Sequence, residues 1–483
     1  MGTDCACHRN GIRRHVLFVW PADTAKVPPG MNLFNRSLMN GAFWTLVSFT
    51  LGQGLRVFTT VVLARLLAPE LFGIMILVNS LRTGIDLVSD VGVGQNIITN
   101  PMGDDKSYYQ TAWTLQAIRG VLLWIVSCLA AWPLASLYHA PILMTLLPIA
   151  GLYFVLQGFT SVSLFLAQKR FMLRRVNAFE LAMDVLSSAC HVGLALITQT
   201  VWALVFGGLL YVAGRMVASY YLLPDVNSRF RLSKTFALQI LSFGKWIFLS
   251  SIVYYFAMSS DRLYLAKVAP LGLLGVYGIA RNFSDLITSL VVRLSAFVIV
   301  PLIASSFDMP RDSLKANLAP IRLRFLLLAA AGLGTFSALA DLPIGILYDH
   351  RYQSAGWMIS VLAIGAWIAI LCSINESTLL GLRQPLYGAA ANSLKLVWLL
   401  AGLPISYSLF GILGVITVVA LSDLGRYGPI LFGQFRERLS FLTQDLVATL
   451  LLLGVMGLLE WLRWSLNWGT SFDGLSAMLA HPA

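Results

Sequence analysis

Long apolar runs separated by short polar breaks cover most of the chain. They predict helices at about 38–64, 71–98, 112–136, 142–166, 177–198, 201–222, 238–267, 272–304, 321–347, 355–380, 386–408, 411–433 and 445–465. Crossing a bilayer takes about 20 apolar residues, and nearly every run reaches that length. The basic residues then fix an orientation. Lys169, Arg170, Arg174 and Arg175 fall in one break; Arg229, Arg231 and Lys234 fall in another. Arg311, Lys315, Arg322 and Arg324 gather near a third break, and Arg436 and Arg438 near a fourth. Each follows an even-numbered run, so the positive-inside rule puts these breaks and the basic N-terminal tail in the cytoplasm. Thirteen runs send the C-terminus outside, with 445–465 read as a full span or as a re-entrant or interfacial segment.

Two stretches echo one another. The first reads Leu63-Ala64-Arg65, Ala68-Pro69, Phe72-Gly73, then Arg82 and Asp86. The second reads Leu265-Ala266-Lys267, Ala269-Pro270, Leu274-Gly275, then Arg281 and Asp285. Gly73 and Gly275 are 202 residues apart, as are Leu63 and Leu265. Six crossings lie between the copies, so the halves share one orientation and are related by an axis along the membrane normal. The fold expected is an all-α polytopic membrane protein. It has two six-helix lobes about that pseudo-two-fold axis and one extra C-terminal helix. The divisions are a disordered basic cytoplasmic tail over 1–37, an N-lobe over 38–224 and a basic cytoplasmic linker over 225–237. A C-lobe over 238–434 follows, then the extra helix and tail over 435–483.

In each copy Arg and Asp are four residues apart, about one helical turn, and so share a face. Further charges interrupt the runs: Arg56, Asp90, Arg119, Asp184, Arg215, Asp261, Arg262, Arg293, Lys395, Asp423 and Arg426. Each costs about 2.5–3.5 kcal/mol at a helix centre on insertion scales, so such residues pair, face the bundle interior or line a wet cavity. Read as structure, Arg82–Asp86, Arg281–Asp285 and Asp423–Arg426 neutralise one another. Lys245 and Arg293 snorkel to the cytoplasmic side, and Glu180, Glu376 and Glu460 are interfacial. Read as function, the group lines a polar path. Arg outnumbers Lys in it, which favours planar, bidentate contact with phosphate oxygens.

Composition narrows the class. Of 483 residues, 58% are hydrophobic and 12% charged, about half the charged share of soluble domains. The mean hydropathy is +0.76. The net charge of +12 is accounted for by topology and anionic headgroups, so no nucleic-acid partner is expected. Cys5-Ala6-Cys7-His8 lacks the second half of a zinc motif, so no metal or catalytic residue is assigned. Five apolar residues, Val16 to Trp20, precede Pro21, too few for a signal-peptide core.

The run Leu63-Ala64-Arg65-Leu66-Leu67-Ala68-Pro69-Glu70-Leu71-Phe72-Gly73, with Asp90-Val91-Gly92, Asp261-Arg262-Leu263, Gly275-Val276-Tyr277, Ala280 and Pro301, resembles the polysaccharide-export flippases. These are the Wzx-type branch of the multidrug/oligosaccharidyl-lipid/polysaccharide exporter superfamily. The resemblance covers roughly 38–440. It implies a V-shaped pair of lobes in a bacterial cytoplasmic (inner) membrane, working by alternating access. The implied cargo is a polyprenyl-diphosphate-linked oligosaccharide, and polysaccharide polymerase machinery is an implied partner. By helix position it makes Arg56, Arg82 and Arg281 the candidates for the diphosphate, with Arg119, Arg262 and Arg293 as helpers. Asp86, Asp261, Asp285 and Asp90 are expected to orient these Arg side chains or to couple transport to H⁺ or Na⁺; no cofactor is expected. The alternatives are a multidrug/cation antiporter of the same superfamily and a membrane polysaccharide polymerase or ligase. The predicted outer loops are too short to hold an acceptor, and no nucleophile–base arrangement is visible.

Overall fold

The computed structural model describes residues 36–90, 92–305, 310–382 and 384–475, leaving aside the side chains of 36–43, 46, 243–247, 249 and 295–305. The tail expected over 1–37 therefore lies almost wholly outside the described residues, as does the side chain of Lys245. All regular structure described is helical. The first half holds α1 (Arg36–Leu66), α2 (Pro69–Leu87), α3 (Val93–Thr99), α4 (Lys106–Leu137), α5 (Leu143–Gly158), α6 (Ser163–Lys169), α7 (Leu173–Thr198) and α8 (Val201–Leu222). The second holds α9 (Lys234–Val268), α10 (Leu271–Ser305), α11 (Arg311–Ala338), α12 (Asp341–Leu347), α13 (Ala355–Gly381), α14 (Leu386–Arg436) and α15 (Leu442–Ser465). Eight of these are long and apolar enough to cross a membrane, nine when the bent pair α5–α6 counts as one span. The α2 helix, carrying Glu70, Arg82 and Asp86, falls short of that apolar criterion.

Three predicted helices are broken. The run expected over 71–98 stops at Leu87 and resumes at Val93. The side chain of Asp90 accepts from the Gly92 N–H at 2.8 Å, and Gly92 is left-handed at φ 63°. The runs over 142–166 and 321–347 divide after Gly158 and Ala338. Conversely, α14 joins two predicted runs into one element of 51 residues. A straight helix of that length would stretch roughly 80 Å, more than twice a hydrocarbon core. It folds back instead at Gly411, whose φ of 59° is backbone that a side chain would strain. Trp398 Nε1 donates to the Val418 carbonyl at 3.2 Å, and a Cβ on Gly414 would lie 2.4 Å from the Ser406 carbonyl oxygen. The two limbs are thus an antiparallel hairpin, as the predicted break between 408 and 411 implies.

Packing follows the halves. In the first, α1 lies on α7, α7 on α8, α4 on α5 and α5 on α8; in the second, α10 lies on α13, α13 on α14, α14 on α9 and α11 on α15. The halves meet through α2 against α9 and α10, and α4 against α9. One apolar core spans both halves around Val78, Leu143, Tyr277, Ile344, Tyr352 and Trp357. Nearer the basic segments the core divides. One cluster (Ile97, Trp113, Leu166) belongs to the first half, with Ile240 of α9; the other (Leu326, Trp367, Leu452) belongs to the second.

The echoed glycines sit where α2 and α10 touch. A Cβ on Gly73 would lie 1.9 Å from the Leu271 carbonyl oxygen, and one on Gly275 would lie 2.1 Å from that of Pro69. Pro69 and Leu271 stand in the same 202-residue relation, so the contact is reciprocal, the mark of a local two-fold. Glu70 lies against its mate Gly272, and Ile76 against its mate Gly278. Self-matched contacts over two turns require the two helices to run parallel, with the local axis along them. Small residues permit this approach, as in membrane helix pairs generally.

The final helix is integral to the second half. At one end Arg322 pairs with Asp445, and Asn375 Nδ2 and Tyr427 Oη donate to the same carboxylate at 3.0 and 2.7 Å. At the other end Arg463 pairs with Asp341 at 2.7 Å. Arg322, expected among loop charges, is therefore a buried strut between α11 and α15, and Asp341 anchors Arg463 besides marking a helix boundary.

Candidate functional site

A cavity of about 520 Å³ opens between α2, α9, α10, α13 and α14. Arg262, Arg281, Lys395 and Arg426 line it, against the carboxylates of Asp285 and Asp423. Four cations over two anions leave the lining a surplus of two positive charges. On the α9–α10 wall, Arg262 Nη2 donates to Asp285 at 3.0 Å, and Arg281 Nε lies 3.0 Å from the other oxygen of that carboxylate. Buried Asp261 accepts from Tyr277 Oη at 2.5 Å and stands 3.9 Å from Arg281. On the α13–α14 wall, Lys395 Nζ donates to Asp423 at 2.9 Å, and Arg426 bridges Asp423 at 3.1 Å and Glu376 at 2.8 Å. Asp261 and Glu376 stand behind the lining and balance its surplus from there, so the cations face the space and half the carboxylates do not. Every cation in the cavity is oriented by a carboxylate, and every carboxylate there is taken.

A second cavity, of about 540 Å³, lies between α1, α7 and α10. Arg56 reaches Asp184 there at 3.0 Å, and Gln53 Nε2 donates to Ser289 Oγ at 3.4 Å across the two halves. Asp285 and Ser289 line both cavities, which therefore adjoin. A third, of about 320 Å³, continues past Gln53 and Arg56 to Arg293.

The remaining sequence candidates are placed elsewhere. Arg82 does not pair with Asp86; its guanidinium stacks over Tyr153, 4.0 Å from the ring centroid. Asp86 is taken by Arg119 at 2.7 Å. Arg119 also donates to the Asp86 and Ser89 carbonyls, closing the C-terminus of α2 beside a separate cavity of about 250 Å³ that Asp90 also lines. Sharing a face did not join Arg82 to Asp86; Arg119 of α4 takes the carboxylate and Tyr153 of α5 takes the guanidinium. Arg293 stacks on Phe49 at 4.0 Å. Glu180 and Glu376, read as interfacial, pair with Arg215 and Arg426. Lys395, Asp423 and Arg426 were visible as charges within apolar runs, yet nothing local joins Lys395 to Asp423. Their link is the α14 hairpin.

The loop-rich end is clasped across the halves. Arg65, at the end of α1, donates to the Leu347 and Ile346 carbonyls at the end of α12, at 2.9 and 3.1 Å. Arg351 reaches back to the Ala64 carbonyl at 3.3 Å and holds Asp349. Hydrogen bonds from Arg351 keep the Asp349 carboxyl below its ordinary range.

A multi-pass helical membrane protein with a charged cavity among the helices of its second half, roofed by α2 of the first, belongs among the transporters. Its fold is like that of a lipid II flippase, MurJ, in an inward closed conformation. The TM-score is 0.69 at 13% identity, over 91% of this chain and 96% of that one. A multidrug resistance MATE family transporter in its inward-facing conformation also matches, at TM-score 0.60 and 14% identity, over 82% and 98%. At these identities the likeness is one of fold. Residues 62–356 match the polysaccharide biosynthesis protein family, and the chain belongs to that family. It is 24% identical over 345 residues to the succinoglycan biosynthesis transport protein ExoT of Rhizobium meliloti (strain 1021), covering 71% of this chain and 68% of that one. It is 23% identical over 349 residues to the lipopolysaccharide biosynthesis protein WzxC of Escherichia coli (strain K12), covering 70% and 68%.

Proposed function

We propose that this chain is a flippase. It carries an oligosaccharide linked to a polyprenyl diphosphate across the cytoplasmic membrane, from inner to outer leaflet, for export of a surface polysaccharide. The carrying observation is the cavity lined by four cations, with two of their balancing carboxylates, Asp261 and Glu376, set behind the wall, so that an anionic headgroup entering the space meets cations first. Arg262 and Arg281 grip the diphosphate, joined by Lys395 and Arg426, while Asp261, Asp285, Asp423 and Glu376 hold those cations ready and keep binding reversible. Arg82, Arg119 and Arg293 brace helices. The two halves act as six-helix lobes that rock about the bound headgroup. The shared core and the clasp close the outer end, and the divided core marks the end facing the cytoplasm. That assignment puts the N-terminus inside. Membership of the family and the names of the two relatives support this reading.

A drug-cation antiporter would want free carboxylates in its cavity, and here each is paired with a cation. A polymerase or ligase would want a nucleophile beside a base, whereas the polar groups here form cation–carboxylate pairs. The experiment is flipping of a fluorescent polyprenyl-diphosphate glycolipid in proteoliposomes. Arg281→Ala and Arg262→Ala should each reduce the rate at least tenfold with insertion unchanged. Wild-type rates in both variants, or no flipping by the wild type, would refute the proposal.

A further inference from the structure

The cavity between α1, α7 and α10 differs in chemistry from its neighbour. Of its lining charges Arg56 is paired with Asp184, and Asp285 is held by Arg262 and Arg281, with His191 as the one other basic side chain, so no unpaired arginine is left here for a diphosphate. Its wall is otherwise rich in uncharged donors and acceptors: Gln53, Thr59, Ser188, Asn282 and Ser289. Thr59 and Ser188 are linked at 2.7 Å, which ties α1 to α7. The Asn282 side chain has no hydrogen-bond partner among the described residues, and its amide lies exposed on the cavity wall. Phe283 and buried Tyr348 line the same space, with ring centroids 6.2 Å apart.

This is the chemistry that reads sugars. A hydroxyl both donates and accepts, which planar amides and carboxylates answer, and aromatic faces pack on the apolar face of a pyranose. At about 540 Å³ the cavity lies within the range of small-molecule sites. It adjoins the cationic cavity at Asp285 and Ser289, so one headgroup can fill both, with its sugar–phosphate bond beside Asp285. Resting on the flippase reading, we propose that this second cavity is the sugar-recognition subsite. Gln53 and Asn282 bind sugar hydroxyls there, and the Arg56–Asp184 pair binds them between α1 and α7. Binding strength then resides in the cationic cavity and selectivity in this one. A site built to pair a hydroxyl strongly rejects an analogue that lacks it, because its own polar groups are left unpaired.

Two probes separate these roles in nanodisc-reconstituted protein: undecaprenyl diphosphate, and the lipid-linked oligosaccharide extracted from the native host. Asn282→Ala and Gln53→Ala should each weaken the glycolipid about five- to tenfold, the effect of one hydrogen bond, and leave the bare carrier unchanged. Retained binding of the bare carrier also reports a folded variant. Arg281→Ala should weaken both probes. Equal weakening of both probes by Asn282→Ala, or none of the glycolipid, overturns the subsite. Binding of neither probe by the wild type overturns the flippase reading and the subsite with it.

Discussion

Adding one methyl group at Gly73 should act as a wedge. Its Cβ would stand 1.9 Å from the Leu271 carbonyl oxygen and 2.7 Å from the carbonyl carbon, where ordinary contact begins at 3.4 Å. The obstacle is backbone, at the N-terminal ends of both helices, so α2 and α10 must part there by more than an ångström. Overpacking costs about 1–3 kcal/mol, and a gap of that order forfeits much of the dispersion energy along the seam. The penalty falls on whichever state has the two helices in contact at the clasped end. A change of about 2–3 kcal/mol shifts a two-state population about 30- to 150-fold. Spin labels on exposed Gln199 and Ser408, one in each half, should report a growing long-distance population in Gly73→Ala. Gly275→Ala should match it, since its Cβ meets the Pro69 carbonyl oxygen at 2.1 Å. The double variant should shift little further, because a single separation relieves both clashes; sites in contact are not additive. Gly332→Ala and Gly454→Ala, where a Cβ meets nothing within 4 Å, should leave the distribution unchanged. An unaltered distribution in Gly73→Ala, or a double variant that shifts by the sum of the singles, would refute the reasoning.

Removing Lys395 as Lys395→Met leaves Asp423, which is 5% exposed, with Arg426 as its remaining cation at 3.1 Å, and the lost bond should cost about 1–3 kcal/mol of stability. Adding Asp423→Asn should restore much of it, measured by thermal unfolding in detergent; no rescue would contradict the pairing. Arg322→Ala should destabilise by a similar amount through Asp445 and loosen α15, seen as faster hydrogen exchange over 442–465. Unchanged exchange there would show that the strut does not anchor the helix. Arg65→Ala removes the cap on α12 and should raise the thiol reactivity of a cysteine introduced at exposed His350 beside the clasp; no change would count against the clasp. The Asp349 carboxyl in that clasp sits below its ordinary 3.8. Its stabilising contribution is therefore complete above about pH 4 and fades only as pH falls through the lower folded value. Accessibility should accordingly stay flat between pH 5 and 8.

Much of the architecture was legible because lipid demands long apolar helices, and their ends are marked by charge and glycine. The break near 408–411 could be read because Gly411 interrupts two full-length runs. The breaks at 88–92 and 339–340 could not, since apolar residues continue across them and only Asp90 and Gly92 hint at the first. Ion pairs were legible only where partners share one helix turn, as with Arg281 and Asp285. Even that rule failed at Arg82, whose neighbour is claimed by Arg119. Arg322 looked like a loop charge because its partner lies 123 residues on. The echoed Leu-Ala-Arg and Ala-Pro signature foretold a repeat; that its two glycines pack upon each other's helix appears only in three dimensions.

The reversal at Gly411 bears on how the chain enters lipid during synthesis. Lys395, with no partner on its own nascent span, would be opposed by about 2.5–3.5 kcal/mol at the translocon. One residue of reversal leaves no slack for the limbs to insert separately at different depths. Emerging together, they bring ammonium to carboxylate at 2.9 Å before either meets hydrocarbon. A pair that looks like transport machinery in the finished protein thus also serves as a permit for its biogenesis.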